Sequence, residues 1–300
     1  MLSVKFLAFL VALVDLVTAG LISNGFILKV IVVEWASSRS LASNEQLLLS
    51  LGISNICIAT ALAAALLKNY FVISNNVVLQ VMYTFVSVLT FFRFWNTAWI
   101  SFFHCIKIVN SSCSFFLWCK LRISWLIPRL LLGSLAVSLA VFIFAFQNTF
   151  IYHLSNGTTK GIDMSQVQIA HADSFKSFFM LFGSACPLLV VLLCSILVVA
   201  SLLRHNCRMT GKGNNLTSLQ TKVHIKAAGT ILSLLLLYVI FYTAQIVLLV
   251  KDLRGFKWTL VILIKLTNGS MQAVILILGN SKLKQAATEM LQRPTFWRTK

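Results

Sequence analysis

Apolar residues run almost unbroken through seven stretches of the chain, at about 6–33, 45–67, 77–106, 124–147, 175–203, 227–250 and 257–280, and polar residues gather between them. A bilayer core about 30 Å thick is crossed by roughly 20 apolar residues in a helix, so each stretch predicts one membrane span. No connection is long enough for a separate soluble unit. The expectation is a single all-α integral membrane domain over 1–300: a seven-transmembrane helix bundle followed by a tail at 281–300. Within Ser281 to Leu291, Leu283, Ala286, Ala287, Met290 and Leu291 recur at helical spacing beside Lys282, Lys284 and Glu289. That pattern predicts a short interfacial helix after span seven.

The first stretch follows Lys5 and passes the small residues Thr18, Ala19 and Gly20, as a cleaved signal peptide would. Its apolar character continues through Phe26, Ile27, Leu28 and Val30 to Val33, longer than a signal sequence and long enough to span, so it is read as span one. Composition agrees with a membrane protein: 59% of residues are hydrophobic and 11% charged, with a mean hydropathy of +0.90. Soluble domains carry about 25% charged residues.

The net charge of +18 would suggest nucleic acid as a partner of a soluble protein, but the basic residues here follow the loops. Arg39, then Lys107, Lys120, Arg122 and Arg129, then Arg204, Arg208, Lys212, Lys222 and Lys226, and finally Lys282, Lys284, Arg293, Arg298 and Lys300 fall on one side of the predicted spans. Lys5, Lys68, Lys160, Lys176, Lys251, Arg254 and Lys257 fall on the other. The positive-inside rule makes the richer side cytoplasmic, with the amino terminus outside and the carboxyl terminus inside. Attraction to anionic inner-leaflet lipid accounts for the basic loops without any protein partner, and nucleic acid is not expected.

Two features test that orientation. Cys57, Cys105, Cys113, Cys119, Cys186, Cys194 and Cys207 all lie within spans or on the cytoplasmic side, so no extracellular disulfide is expected. Of four Asn-x-Ser/Thr sequons, those at Asn110 and Asn215 fall in cytoplasmic loops and that at Asn268 inside span seven. Asn156 alone falls in the predicted outside loop between spans four and five, and is the expected glycosylation site.

Several motifs stand in register along the chain. They are Asn24-Gly25-Phe26-Ile27 followed by Glu34-Trp35; Trp95 twelve residues before Lys107, with Phe103-His104-Cys105-Ile106-Lys107-Ile108 closing span three; and Pro187 with Ser201-Leu202-Leu203-Arg204-His205 and Met209. Lys222-Val223-His224-Ile225-Lys226-Ala227 enters span six, and span seven ends in ILILGNSKLKQ, from Ile275 to Gln285. Together they resemble the type 2 bitter taste receptors over nearly the whole chain. Asn55 departs from that pattern where arginine is usual, as do Asn268-Gly269 for Tyr-Pro and Gln272-Ala273 for His-Ser; these polar positions set packing among spans one, two and seven.

The resemblance implies a plasma-membrane receptor for bitter small molecules, with a ligand pocket among spans three, five, six and seven. It also implies a gustducin-like heterotrimeric G protein as reader, and no cofactor. Ligand contacts are then expected at Trp95, Asn96 and Trp99 in span three, at Phe241 and Tyr242 in span six, and at Arg93 and Lys265. Trp95 and Trp99 are four apart and share a helix face. Aromatic residues in spans also serve as packing or as interfacial belts, and both readings stand. G-protein contacts are expected at Lys107, Lys120, Arg122, Arg204, Arg208, Lys222 and Lys226. His104, in the inner half of span three, is read either as part of the switch or as a packed side chain. Whether the receptor acts alone or as an oligomer is open.

Charges within spans are costly and usually face the bundle interior. One reading of Arg93 and Lys265 is a cationic pocket favouring anionic amphiphiles. The other pairs Lys265 with Asp15 and lets Arg93 reach the headgroups.

No HExxH, phosphate-binding glycine loop, CxxC pair or nucleophile elbow occurs, so neither enzymatic chemistry nor a metal is expected. A vomeronasal-type chemoreceptor shares the short loops but not the ILILGNSKLKQ end. A small transporter would show internal repeats and broken spans, which the chain lacks with prolines only at 128, 187 and 294.

Overall fold

A computed structural model of the chain describes residues 4–71, 76–109, 114–158, 179–209, 216–250 and 256–292. These form α1 (Val4–Ser38), α2 (Ser43–Phe71), α3 (Asn76–Ile108), α4 (Ser114–Leu121), α5 (Ile123–Thr158), a π-helical segment (Phe179–Ala185) running into α6 (Cys186–Met209), α7 (Leu216–Val250), α8 (Phe256–Gly279) and α9 (Ser281–Gln292). The seven expected apolar stretches fall on α1, α2, α3, α5, α6, α7 and α8, with the π-helical segment at the amino-terminal end of α6. The expected helix after span seven is α9.

Several helices outrun their apolar stretches, because helix propensity does not stop at the edge of the bilayer. α5 continues to Thr158, so Asn156 stands on its last turn rather than in a loop. Pro and Gly are absent between Leu216 and Ala227, and α7 starts eleven residues ahead of its apolar run. α4 was not expected: its eight residues, SFFLWCKL, are too few to span. It leaves Phe115, Leu117 and Trp118 exposed and seats Cys119, which is buried. Lys212, Lys251, Arg254, Arg293, Arg298, Lys300, Lys160 and Lys176 lie outside the described residues.

Six of the described helices are long and apolar enough to cross a membrane. Their outward faces carry Leu132, Ile143, Leu189, Leu193, Leu236 and Leu278, all exposed, as suits helices solvated by lipid rather than water. α3 is not among the six. It is the central helix, packed against α2, α5, α6, α7 and the π-helical segment, and its buried side holds Thr90, Arg93, Asn96, Thr97 and Ser101.

Apolar packing divides into layers. Near the end of the bundle where α9 lies, Ile27, Leu47, Leu51, Ile100, Ile127, Leu276 and Leu283 join α1, α2, α3, α5, α8 and α9. Toward the other end, Phe9, Leu13, Ile58, Leu62, Val86, Ile262 and Leu266 join α1, α2, α3 and α8.

Between these layers a chain of side-chain amides crosses four helices. Asn24 Nδ2 donates to Gly269 O at 3.1 Å, Asn55 Nδ2 to Asn24 Oδ1 at 3.1 Å, and Gln272 Nε2 to Thr97 Oγ1 at 2.7 Å. Asn55 Nδ2 also lies 3.5 Å from Gln272 Oε1. In hydrocarbon a polar group has no water to fall back on, so these amides bind one another. Gly269 permits the approach: a Cβ there would stand 3.3 Å from Asn55 Cβ.

Candidate functional site

Pro187 shapes the amino-terminal end of α6. Without an N–H it leaves a carbonyl of the preceding turn unpaired, and the backbone there widens into the π-helical segment. Two carbonyls of this segment accept from neighbouring helices. Trp95 Nε1 on α3 donates to Phe182 O at 3.1 Å, and the Tyr238 hydroxyl on α7 donates to Ser184 O at 2.9 Å.

α3 presents a different partner on each face. Trp95 and Trp99 stack at 5.1 Å between ring centroids. Trp95 packs with Val88, Phe91 and Val141, and Trp99 Nε1 donates to Ser134 Oγ on α5 at 2.8 Å. Asn96 turns to α2, donating to Ser50 Oγ at 2.9 Å. Phe94 and Ala98 turn to α6 and α7, packing with Val191, Tyr238 and Phe241. Arg93 lies on the buried side of the helix one turn from Thr97, which binds Gln272 of α8.

Of the expected ligand contacts, the structure brings Phe241 and Tyr242 of α7 against Phe94, the neighbour of Arg93 on α3; Lys265 follows Ile264 of α8, which packs on the same cluster. Phe241 is buried and Tyr242 packs beside it. The Arg93 guanidinium stands 5.8 Å from the Phe94 ring centroid. Trp95, Trp99 and Asn96 are directed instead to α5, the π-helical segment and α2.

The charge-neutral alternative does not hold. Asp15 is exposed on α1 and forms no ion pair with Lys265 among the described residues. Arg93 does not reach toward headgroups: it is 2% exposed, the largest fully buried side chain described. The helix order places α1 beside α8, but Asp15 is turned away from that contact. A charge at the middle of a span costs roughly 2.5–3.5 kcal/mol on insertion scales, so Arg93, buried with no ion pair among the described residues, is a costly placement.

Sequence reasoning missed four neighbours. Phe94 adjoins Arg93, and its ring stands 4.8 Å from that of Tyr238, which is buried. Gln245 Oε1 and Ser184 Oγ are buried without hydrogen-bond partners. The signal for Tyr238 and Gln245 lay in the spacing 238, 241, 242, 245, one face of α7.

At the opposite end, Lys107 closes α3, Arg122 joins α4 to α5, and Lys120, Arg204 and Lys226 are exposed. Lys107 stands 4.5 Å over the Phe103 ring and Arg122 5.7 Å over Trp118. Arg208 and Lys222 lie on α6 and α7 at the same end, their side chains outside the described set. His104 Nδ1 lies 3.1 Å from Ile100 O, and its ring meets Phe103 edge to face, a packed position. Glu34 and Lys282 form an ion pair that joins the end of α1 to α9. The two motifs carrying them thus meet in space.

Known proteins bear on this arrangement. A family profile described as taste receptor protein (TAS2R) matches residues 1–295. The chain is 30% identical over 291 residues to taste receptor type 2 member 9 of Papio hamadryas, covering 92% of this chain and 90% of that one. It is 28% identical over 290 residues to the Homo sapiens member 9, with the same coverage. With taste receptor type 2 member 41 of Rattus norvegicus it shares 28% over 307 residues, covering 97% of both. A match of this extent, on a bundle of membrane-spanning helices with no enzymatic motif, makes the chain a multi-pass receptor belonging to the type 2 taste receptor family.

Proposed function

We propose that this receptor detects bitter small molecules in the outer half of the bundle and signals through a gustducin-like heterotrimeric G protein at the inner end. The observation that carries the reading is the cluster of Phe94, Tyr238, Phe241 and Tyr242, with Arg93 beside Phe94. Apolar rings stand there beside buried polar atoms that lack partners, the mixture a small-molecule site uses. Trp95, Asn96 and Trp99 hold α3 against α5 and α2, and so fix where Arg93 and Phe94 point.

Signalling is a population shift. An agonist stabilises the state whose inner end accepts the G protein, by its difference in affinity for the two states. Lys107, Lys120, Arg122, Arg204, Arg208, Lys222 and Lys226 supply the basic inner face that meets the G protein. The same charges favour the plasma-membrane orientation with the amino terminus outside, where Asn156 carries the glycan.

The test is calcium imaging in cells co-expressing the chain with a promiscuous, gustducin-like G protein, challenged with a panel of bitter compounds that includes bile salts. A response is expected that Phe241→Ala weakens at least tenfold in half-maximal concentration. Silence across the panel, with the receptor verified at the cell surface, overturns the reading.

A further inference from the structure

Two thiols from different helices meet in the core of the bundle. Cys105 of α3 and Cys194 of α6 are 1% and 5% exposed and share one apolar cluster with Val198 of α6 and with Ala228 and Ile231 of α7. Their side chains are hydrogen-bonded to each other, and both are free. Cys57, Cys119 and Cys186, free as well, lie outside this cluster.

A thiol is a weak donor and a weak acceptor, so the bond between the two contributes little to holding α3 against α6. What the contact supplies is a second sulfur beside the first, the arrangement in which an oxidised cysteine is resolved by its neighbour before it goes further. The apolar wall around the pair keeps out charged oxidants. A hydroperoxide is uncharged, and Leu193 and Ile196, which flank Cys194 on α6, are exposed on the lipid-facing side of that helix.

We propose that Cys105 and Cys194 form an oxidisable dithiol, which a hydroperoxide ROOH, either hydrogen peroxide or the peroxide of a lipid tail, converts into a disulfide joining α3 to α6. One sulfur attacks the terminal oxygen of ROOH; the O–O bond breaks, and the thiol proton leaves with the departing oxygen as ROH. The second sulfur attacks the resulting sulfenic sulfur; the S–S bond forms, the S–O bond breaks, and water leaves with the second thiol proton. The two sulfurs together lose two electrons and the peroxide gains them. The bond lies two residues before Lys107, where Ala228 and Ile231 of α7 also pack, so oxidation fixes α3 and α6 relative to each other beside α7. The chemistry does not rest on the bitter-receptor reading.

The test uses the full-length receptor in nanodiscs, treated in one arm with hydrogen peroxide in the buffer and in the other with phosphatidylcholine hydroperoxide in the bilayer. Remaining thiols are alkylated and unreduced digests are read by mass spectrometry. The expected main product is a peptide pair linked through Cys105 and Cys194, lighter by two hydrogens than its separate halves. Linkage by hydrogen peroxide identifies a water-borne oxidant, and linkage by the lipid peroxide alone a membrane-borne one. Cys105→Ser and Cys194→Ser abolish the link, and each leaves a lone sulfenic acid that dimedone traps, whereas the wild type escapes dimedone at both positions. Should either variant fail to fold, the wild type unfolded in dodecyl sulfate before oxidation serves instead, its links scattering over the other cysteines. Absence of the Cys105–Cys194 link with both peroxides, a scatter of links in the folded receptor equal to that in the unfolded one, or accumulation of sulfinic acid at either residue in place of the link overturns the proposal.

Discussion

Gln272 of α8 donates to Thr97 of α3 across 2.7 Å, and this bond ties the amide chain of α1, α2 and α8 to the central helix. Gln272→Leu keeps the volume but leaves Thr97 Oγ1 and the Asn55 amide with fewer partners in a dry core. The expected loss is about 1–3 kcal/mol of stability, read as a lower melting temperature in detergent. Thr97→Val in the same background adds little further, because the two residues share one interaction.

α9 is held by two kinds of contact of unequal worth. Lys282 Nζ lies 2.9 Å from Glu45 Oε1 and also pairs with Glu34, but it is 48% exposed, and such pairs contribute about 0.2–1 kcal/mol. Leu283 is 1% exposed and packs into the inner apolar layer. Leu283→Ala is therefore expected to cost about 2 kcal/mol or more, and Lys282→Ala less than half of that. Hydrogen exchange of Ser281–Gln292 in nanodiscs separates them: rapid for Leu283→Ala, and close to wild type for Lys282→Ala at high salt.

Pro187→Ala restores the missing amide and lets the turn tighten into an ordinary α-helix. The carbonyls of Phe182 and Ser184 are then drawn back toward their own helix, and Trp95 Nε1 and the Tyr238 hydroxyl lose acceptors. A loss of about 1–3 kcal/mol is expected despite the gain in helix propensity, with a change in Trp95 fluorescence that a Trp95→Phe control assigns.

Gly279 stands where α8 meets Thr230 of α7. A Cβ there would come within 3.2 Å of Thr230 Cβ and closer still to its Oγ1 and Cγ2. Gly279→Ala is expected to destabilise by about 1–3 kcal/mol. Thr230→Ala added to it should recover most of that loss, whereas Gly20→Ala, which meets nothing within 4 Å, should be neutral.

The spans were legible because each is a run of about 20 apolar residues, a property of length and composition that no tertiary detail overrides. Facing was less so. In a helix that is apolar all round, spacing marks which residues share a face but not which neighbour that face meets. Trp95 and Trp99 were therefore paired correctly with each other, yet their partners on α5 and the π-helical segment could not be read. Arg93 announced itself as a charge in hydrocarbon, but spacing alone left open whether it turned inward or reached the headgroups, and it is buried. The exposure of Asp15 did not, because a single acid on an apolar helix carries no periodic signal. The eight residues of α4 and the widened turn before Pro187 escaped for a related reason: one is too short for a span pattern, and the other depends on what α3 and α7 offer its carbonyls.

That dependence reaches beyond local shape. The amino-terminal end of α6 is also held by side chains from two other helices, Trp95 of α3 and Tyr238 of α7. A hydrogen bond given up in hydrocarbon is not replaced by one to water. Displacement of α3 or α7 at this level that leaves the π-helical segment behind therefore costs a bond, and the three helices are energetically linked there.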